Sequence, residues 1–492
     1  LLQAAVAAAS LIVEIVAGRM LAPYVGMSVH TWTAVIAVVL AGFSAGHWIG
    51  GRIAGRAAGD ALRITGWSMI AAAATTALAT GALRLASGPV LSSVPDPVLV
   101  IVILTGAAFF LPSFFAGIPA PVLAEVGARL LPERSGQTLG AMFAASAFGA
   151  ILGTLAAGFV LISYLGSTLS MLAVTLAYLV IAAVLLVLAR AEGAGGFRGA
   201  GIASLAVLAI VGADALLLSS PCTRESRYFC IRTVDMSADP DSPVHLMVID
   251  HLGHGMSARD VPTVMFTEHA AMLDELARRR APRADFTSFF IGGGSYSIPR
   301  AFAEHGTGEI VVAEIDPAVT ALAERDFWVD PDSVTILHED ARRALLTRPD
   351  QLYDVIIGDA FTDVVVPVHL VTQEFFELAR ARLTEDGTFL MNVIDYEDRL
   401  QALGSIVQTM RQVFPSVEVW THAAQPDPGS RMVFVIAAGN SPSDFDEFSA
   451  PMPFLMTFGA LGDRFVTQIA EARGQVLTDD YAPIDRLFGR PD

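Results

Sequence analysis

Lysine does not occur in these 492 residues, and all 31 basic side chains are arginine. No chemistry that runs through a lysine amine is open to this chain. Charge of either sign is scarce at 16% of residues, against 53% hydrophobic, and the mean hydropathy is +0.56. Those values exclude an ordinary soluble domain over the whole length. Cysteine occurs only at Cys222 and Cys230, too few for a cysteine-stapled scaffold. The formal net charge is −18, so there is no basic stripe to neutralise phosphates, which argues against nucleic acid as a partner.

The charge that is present is unevenly placed. Residues 1–218 hold seven acids and nine arginines, whereas residues 219–492 hold 42 acids and 22 arginines. An apolar, near-neutral part followed by an acidic part predicts a membrane domain and an aqueous domain. Apolar runs of bilayer length at 1–17, 31–51, 64–83, 97–118, 138–162, 167–189 and 200–218 predict about seven spans. With further spans following the first, a cleaved signal peptide is not expected there. Gly149 and Gly153 form a small-xxx-small pattern for close helix packing. Pro112, Pro119 and Pro121 predict a break in the fourth span. Glu14 is a carboxylate inside the first span, with Arg19 about one turn on. An ion pair locking helices together is the expectation, and a proton or substrate path is the alternative.

The loops after the second, fourth and sixth spans hold Arg52, Arg56, Arg63, Arg129, Arg134, Arg190 and Arg198. The positive-inside rule makes those loops cytoplasmic, which sends the acidic domain outside after seven spans. Cys222 and Cys230, just past the last span, could form a disulfide there.

Within the acidic part, residues 286–300 read FTSFFIGGGSYSIPR. Phe289, Phe290 and Ile291 predict a buried strand that opens into Gly292, Gly293, Gly294 and Ser295, with Pro299 in the first turn of a helix. A second strand, Ile310 to Ala313, ends in Glu314 and Asp316; a third, Val334 to Leu337, ends in His338, Glu339 and Asp340; a fourth, Val355 to Gly358, ends in Asp359. A glycine loop and acids at successive strand tips mark the edge where open α/β sheets bind ligands, and an acid on the second tip can accept the hydroxyls of a ribose. Tyr228 to Val234 and Val244 to Asp250 predict a small β unit ahead of this sheet. Asp250, His251 and His254 lie close together, but no third anchor has ligand spacing, so no metal is expected.

From about His245 to about Pro483 the sequence resembles the spermidine synthase (polyamine aminopropyltransferase) family. GGGSYSIPR stands where the family has GGGDGG followed by an arginine. AEID supplies a ribose-binding Glu314, HEDARRAL an adenine-side Asp340, and YDVIIGDAF a catalytic Asp359. PVHLVTQEFFELARARLTEDGTFLMN follows the family pattern of a helix, a turn at Gly387 and a further strand. With the apolar part, and with the tail QVLTDDYAPIDRLF, the chain resembles membrane-fused homologues of bacteria. The fold implied is a multi-span α-helical membrane domain over residues 1–218, a linker and small β unit over 219–285, and an α/β Rossmann-like domain of methyltransferase/spermidine synthase type over 286–492.

The resemblance implies displacement at the carbon next to a sulfonium, with methylthioadenosine leaving. It also implies a mouth lined by His254, and a helix start in which Phe266 replaces the family's tyrosine while Glu268 is kept. The chain departs from the family at two outer positions. Ser295 replaces the loop aspartate that holds the aminopropyl amine, and Thr362 stands where an aspartate holds the diamine, with Asp363 adjacent. An aspartate at 295 would repel an α-carboxylate, whereas serine can donate to one. The expected activity is therefore cleavage of intact S-adenosylmethionine without an amine acceptor, a lyase or cyclising reaction. The alternatives are aminopropyl transfer from the decarboxylated form, methyl transfer, and a non-catalytic ligand sensor or carrier. The partners expected are a small-molecule substrate and the lipid bilayer, and a homo-oligomer is compatible with this reading. The implied place is the bacterial inner membrane. Because such sulfonium substrates are made in the cytosol, the catalytic domain is expected on the cytoplasmic side, against the arginine and cysteine signals.

Overall fold

In the computed structural model, residues 1–195, 199–217, 220–361 and 366–487 are described. The chain divides at Cys230 into a helical unit, Leu1–Cys230, and an α/β unit, Ile231–Asp492.

The described α-helices of the first unit are α1 (Leu2–Val25), α2 (Val29–Ala54), α3 (Ala58–Ser93), α4 (Pro97–Gly117), α5 (Pro119–Leu130), α6 (Ser135–Ala156), α7 (Ile162–Ala191) and α8 (Ala200–Leu217). Capping chemistry sets several starts. Ser28 and Thr31 form a reciprocal capping box on α2, and Asp96 accepts from Leu99 N at 2.7 Å ahead of Pro97. Among the described residues, five helical runs are long and apolar enough to cross a membrane: Leu2–Val25, Val29–Ala54, Ala58–Ser93, Pro97–Leu130 and Pro132–Ala191. The fifth and sixth expected spans share the last of these. The seventh coincides with α8, whose apolar stretch Ala200–Asp214 falls short of that length.

The run Pro132–Ala191 is not one straight rod. Gly166 has φ 73° and ψ 178°, outside helical space. Before it, Gly149 and Gly153 lie against the carbonyls of Ala4 and Ala8, where a Cβ would come within 2.1 and 2.3 Å. The paired glycines thus let α6 run alongside α1 in the same direction. Beyond Gly166 the order reverses: Tyr178 hydrogen-bonds Ser10 at 3.3 Å, while Ser167 lies near Arg19 and Tyr24. Residues 135–165 and 167–191 are therefore separate antiparallel passes. The proline-bearing run breaks at Ile118 and Pro119, and Pro112 stays inside α4. Glu14 forms no ion pair among the described residues, so the expected helix-locking pair is absent, and Arg19 on the same helix is not placed to meet it. Five residues apart they project about 140° from one another around a helix of 100° per residue. Arg19 instead donates to the carbonyls of Tyr228 and Ser226.

The α/β unit begins with antiparallel strands Cys230–Asp235, Val244–Ile249 and Leu252–Ala258. Among the described residues its main sheet has nine strands in the order Glu447–Ala450, Met456–Ala460, Ser416–His422, Arg431–Gly439, Leu383–Tyr396, Tyr353–Gly358, Ser288–Ile291, Ile310–Ala313, Thr335–Leu337. The last five of these pair in parallel, and the first four add antiparallel pairs, so the sheet is mixed. The parallel strands Ser288–Ile291, Ile310–Ala313 and Tyr353–Gly358 are buried on both faces and read as continuous apolar runs, whereas Thr335–Leu337 at the sheet edge is partly exposed. Phe289, Ile291, Ile356, Phe375, Phe376 and Phe389 fill the core beside them. The turn expected at Gly387 is a shift of register inside a single strand: Tyr353 pairs with Leu383, but Val355 pairs with Thr388.

Candidate active site

Ser288–Ile291 is the first strand of the parallel set and lies in its middle. The chain builds outward through Ile310–Ala313 and Thr335–Leu337, then returns to Tyr353–Gly358 on the other side. That reversal opens a crevice beyond the carboxyl ends of Ser288–Ile291 and Tyr353–Gly358. Gly292 follows the first of these strands with φ 90°, and a Cβ on Gly293 would stand 2.2 Å from the buried Tyr296 ring. The Tyr296 hydroxyl is fixed by Thr320 at 2.8 Å, so the ring has little freedom to give way.

Glu314 reaches back to this loop from the second strand tip. It is 6% exposed, accepting from Gly293 N at 2.9 Å through Oε2 and from Asp316 N at 2.8 Å through Oε1. Burial pushes its pKa above the ordinary range, and the backbone donors act against that push. Each carboxylate oxygen retains a lone pair for a further donor.

Asp359 follows the returning strand, its N–H bonded to Ile291 O at 3.1 Å. Asn392 Nδ2 donates to its Oδ1 at 2.8 Å, and His269 Nε2 lies 3.9 Å from its Oδ2. Asn392 is 2% exposed, and its Oδ1 is a buried acceptor without a hydrogen bond among the described residues. The strand Leu252–Ala258 closes over the glycine loop. A Cβ on Gly294 would meet His254 O at 2.9 Å, and one on Gly255 would meet Ser295 Oγ at 2.1 Å. His254 directs Nδ1 at Leu252 O, 3.1 Å away, and burial lowers its pKa, so the ring is neutral with Nε2 as its acceptor.

Gly292, Gly293, Gly294, Ser295, Glu314, His254 and Asp359 thus gather in one crevice. Asp340 is differently engaged. It caps the helix Ala341–Thr347 through Arg343 N at 2.9 Å and meets His369 Nε2 at 2.7 Å. The His369 hydrogen bond holds its pKa below the usual carboxylate range. Phe266 is half-buried in the approach to the helix Glu268–Arg280, and Glu268, its first residue, makes no ion pair among the described residues. Thr362 and Asp363 lie outside the described residues. No group of three or more His, Cys, Asp or Glu among the described residues is placed to hold a metal.

His269 and Asn392 are site residues that the sequence pattern does not single out. Asn392 had a signal: an amide in the apolar strand FLMNVI must find a partner when buried. His269 had none, because it and Glu268 are neighbours about 100° apart on the helix, and the sequence does not say which of them faces Asp359.

Residues 288–447 match the family model described as the spermine/spermidine synthase domain. The chain is 27% identical over 384 residues to polyamine aminopropyltransferase 2 of Streptomyces coelicolor, covering 69% of this chain and 67% of that protein. It is 31% identical over 216 residues to an N-terminal histidine N-methyltransferase of Emericella nidulans, covering 42% of this chain and 36% of that one. The match thus spans about a third of the latter relative's length and about two thirds of the former's. Among solved structures, a probable spermidine synthase from Corynebacterium glutamicum aligns with a TM-score of 0.44 at 21% identity, over 52% of this chain and 95% of that chain.

Proposed function

From the premise that this chain carries a spermine/spermidine synthase domain, we propose that it is a membrane-bound enzyme that breaks a C–S bond of an S-adenosyl sulfonium and releases methylthioadenosine. The observation that carries this is the pairing of Asp359 with Asn392 beside the glycine loop. A fixed carboxylate next to a buried, unfilled carbonyl acceptor suits an ammonium group, and the substrate's aminopropyl or amino-acid end supplies one. Glu314 takes the ribose hydroxyls and Asp340 the adenine side.

In the transfer reaction an unprotonated amine attacks the methylene next to sulfur. The C–S electron pair goes to sulfur, leaving a neutral thioether, so no acid is needed at the leaving group. The ammonium formed on the new C–N bond then loses its proton to solvent. The family match supports transfer to an amine as the first reading.

A second reading is favoured by Ser295, which brings no charge to the loop. Intact S-adenosylmethionine is then accepted, and its own carboxylate attacks in place of an amine, giving a lactone and methylthioadenosine. Full-length protein in detergent, given S-adenosylmethionine or its decarboxylated form, each with and without putrescine, separates the two by mass spectrometry. Methylthioadenosine in any mixture supports the class, and the mixture that yields it selects the reading. S-adenosylhomocysteine would mean methyl transfer, and no turnover at all would mean a binding module.

A further inference from the structure

We infer that the helical unit delivers the chain that follows it to the outer, oxidising face of the membrane, contrary to the cytoplasmic side that substrate supply suggests. The inference takes the helices as membrane spans, as the proposed function does, and it does not depend on which reaction the site performs.

The number of crossings comes first. The reversal at Gly166 makes α6 and α7 two passes. The helix α8 is short, but it runs beside α3 over a comparable depth. Gly199 faces the ring of Trp67, and Ala200, Ala203, Val207 and Ile210 join the cluster that holds Met69 and Ala73 of α3. The 18 residues of α8 cover ~27 Å at helical rise, close to the thickness of a bilayer core. With α1, α2, α3 and the pair α4–α5, this makes an odd number of crossings among the described residues.

The two ends of the bundle differ in charge. At one end the turns after α2, α5 and α7 meet: Arg129 donates to Arg56 O and Ala54 O at 2.8 and 2.9 Å, and Arg63 to Gly195 O at 2.9 Å. Arg52, Arg56, Arg63, Arg129, Arg134 and Arg190 lie at this end. At the other end, the turns 26–28 and 94–96 and the break at Gly166 hold no arginine. The segment that leaves the bundle lies at this second end, where Glu225 accepts from Ser167 N at 2.9 Å and Arg19 donates to Tyr228 O. Arg19 and Arg84 sit inside helices, and Arg224 and Arg227 precede a large domain, whose translocation is governed little by its own charge. The positive-inside rule therefore puts the arginine end in the cytoplasm and the departing segment outside.

The cysteines give a separate reading of the same end. Cys222 and Cys230 are joined as a disulfide in that departing segment. Such bonds persist on the oxidising side of a membrane and are reduced in the cytosol. Loop charge and sulfur chemistry are independent, and they select the same side. A site facing outward draws on nucleosides that have crossed the membrane, so the step that supplies it is export of a cationic nucleoside.

The test uses full-length protein in bacterial spheroplasts. Resistance of the protein to carbonate extraction checks the premise that it spans the membrane; extraction removes both that premise and this inference while leaving the site testable. In wild type, thiol trapping in intact cells should find Cys222 and Cys230 bonded. With both cysteines changed to serine, Asp239→Cys in the α/β unit should react with a membrane-impermeant maleimide in intact spheroplasts. Glu133→Cys in the turn after α5 should react only after permeabilisation; both positions are exposed. Free thiols in wild type, the reverse labelling pattern, or both positions labelled from one side would overturn the assignment.

Discussion

Ser295 Oγ occupies the space that a side chain on residue 255 would need: a Cβ there would lie 2.1 Å away. Gly255 also has φ 141°, a conformation that L side chains rarely adopt. The glycine loop and the strand above it are thus fitted to each other through a small hydroxyl and a missing side chain.

It follows that Ser295→Asp fails for two reasons, extra bulk against Gly255 and repulsion of an α-carboxylate. On the lyase reading, release of methylthioadenosine from intact S-adenosylmethionine should drop about ten- to a hundredfold, the scale of one charged contact. Ser295→Ala keeps the fit and should cost less. Equal activity in the aspartate variant would show that residue 295 does not meet the substrate.

Asp359 should be indispensable and Asn392 supportive. Asp359→Asn removes the counter-charge to the substrate amine and should abolish turnover. Asn392→Ala leaves the carboxylate in place without its donor, a loss of about 1–2 kcal/mol, or roughly tenfold in rate. Thermal unfolding measured alongside separates this from simple destabilisation; a variant that melts like wild type and turns over at full rate would remove Asn392 from the site.

Glu314 carries a prediction in pH. Both of its oxygens accept backbone N–H bonds, so Glu314→Gln turns one N–H toward another and should weaken nucleoside binding by about 1–3 kcal/mol. Its folded-state pKa is raised above the ordinary value of about 4.3. The stability linked to protonation is therefore fully present below that ordinary value and is lost as pH rises through the raised pKa. Ribose hydroxyls need the ionised form, so affinity for methylthioadenosine should run the other way, falling as pH drops through the same pKa. Calorimetric titration across the acid range reads this directly, and a flat profile would contradict it.

The parallel strands were legible because a short apolar run that ends in glycine or an acid is the pattern of a strand buried on both faces with its tip at a binding edge. Ile310–Ala313 matches its expected limits, and Ser288–Ile291 differs by one residue. The apolar runs 138–162 and 167–189 were legible as separate, and the structure adds the reversal at Gly166 that makes the helical stretches before and after it antiparallel. What escaped depended on contacts across the fold. The direction of Arg19 is decided by carbonyls about 200 residues away, and Gly387 reads as a turn until its register with Val355 is known. The Asp340–His369 hydrogen bond joins residues 29 apart that no pattern links.

The most direct measurement is single-turnover release of methylthioadenosine by wild type and by Asp359→Asn, with protein in excess over the sulfonium substrate and with putrescine present and absent. The expected result is prompt release by wild type in at least one condition and none by the variant in either. Equal release by both proteins, or S-adenosylhomocysteine as the product, would contradict sulfonium cleavage at Asp359.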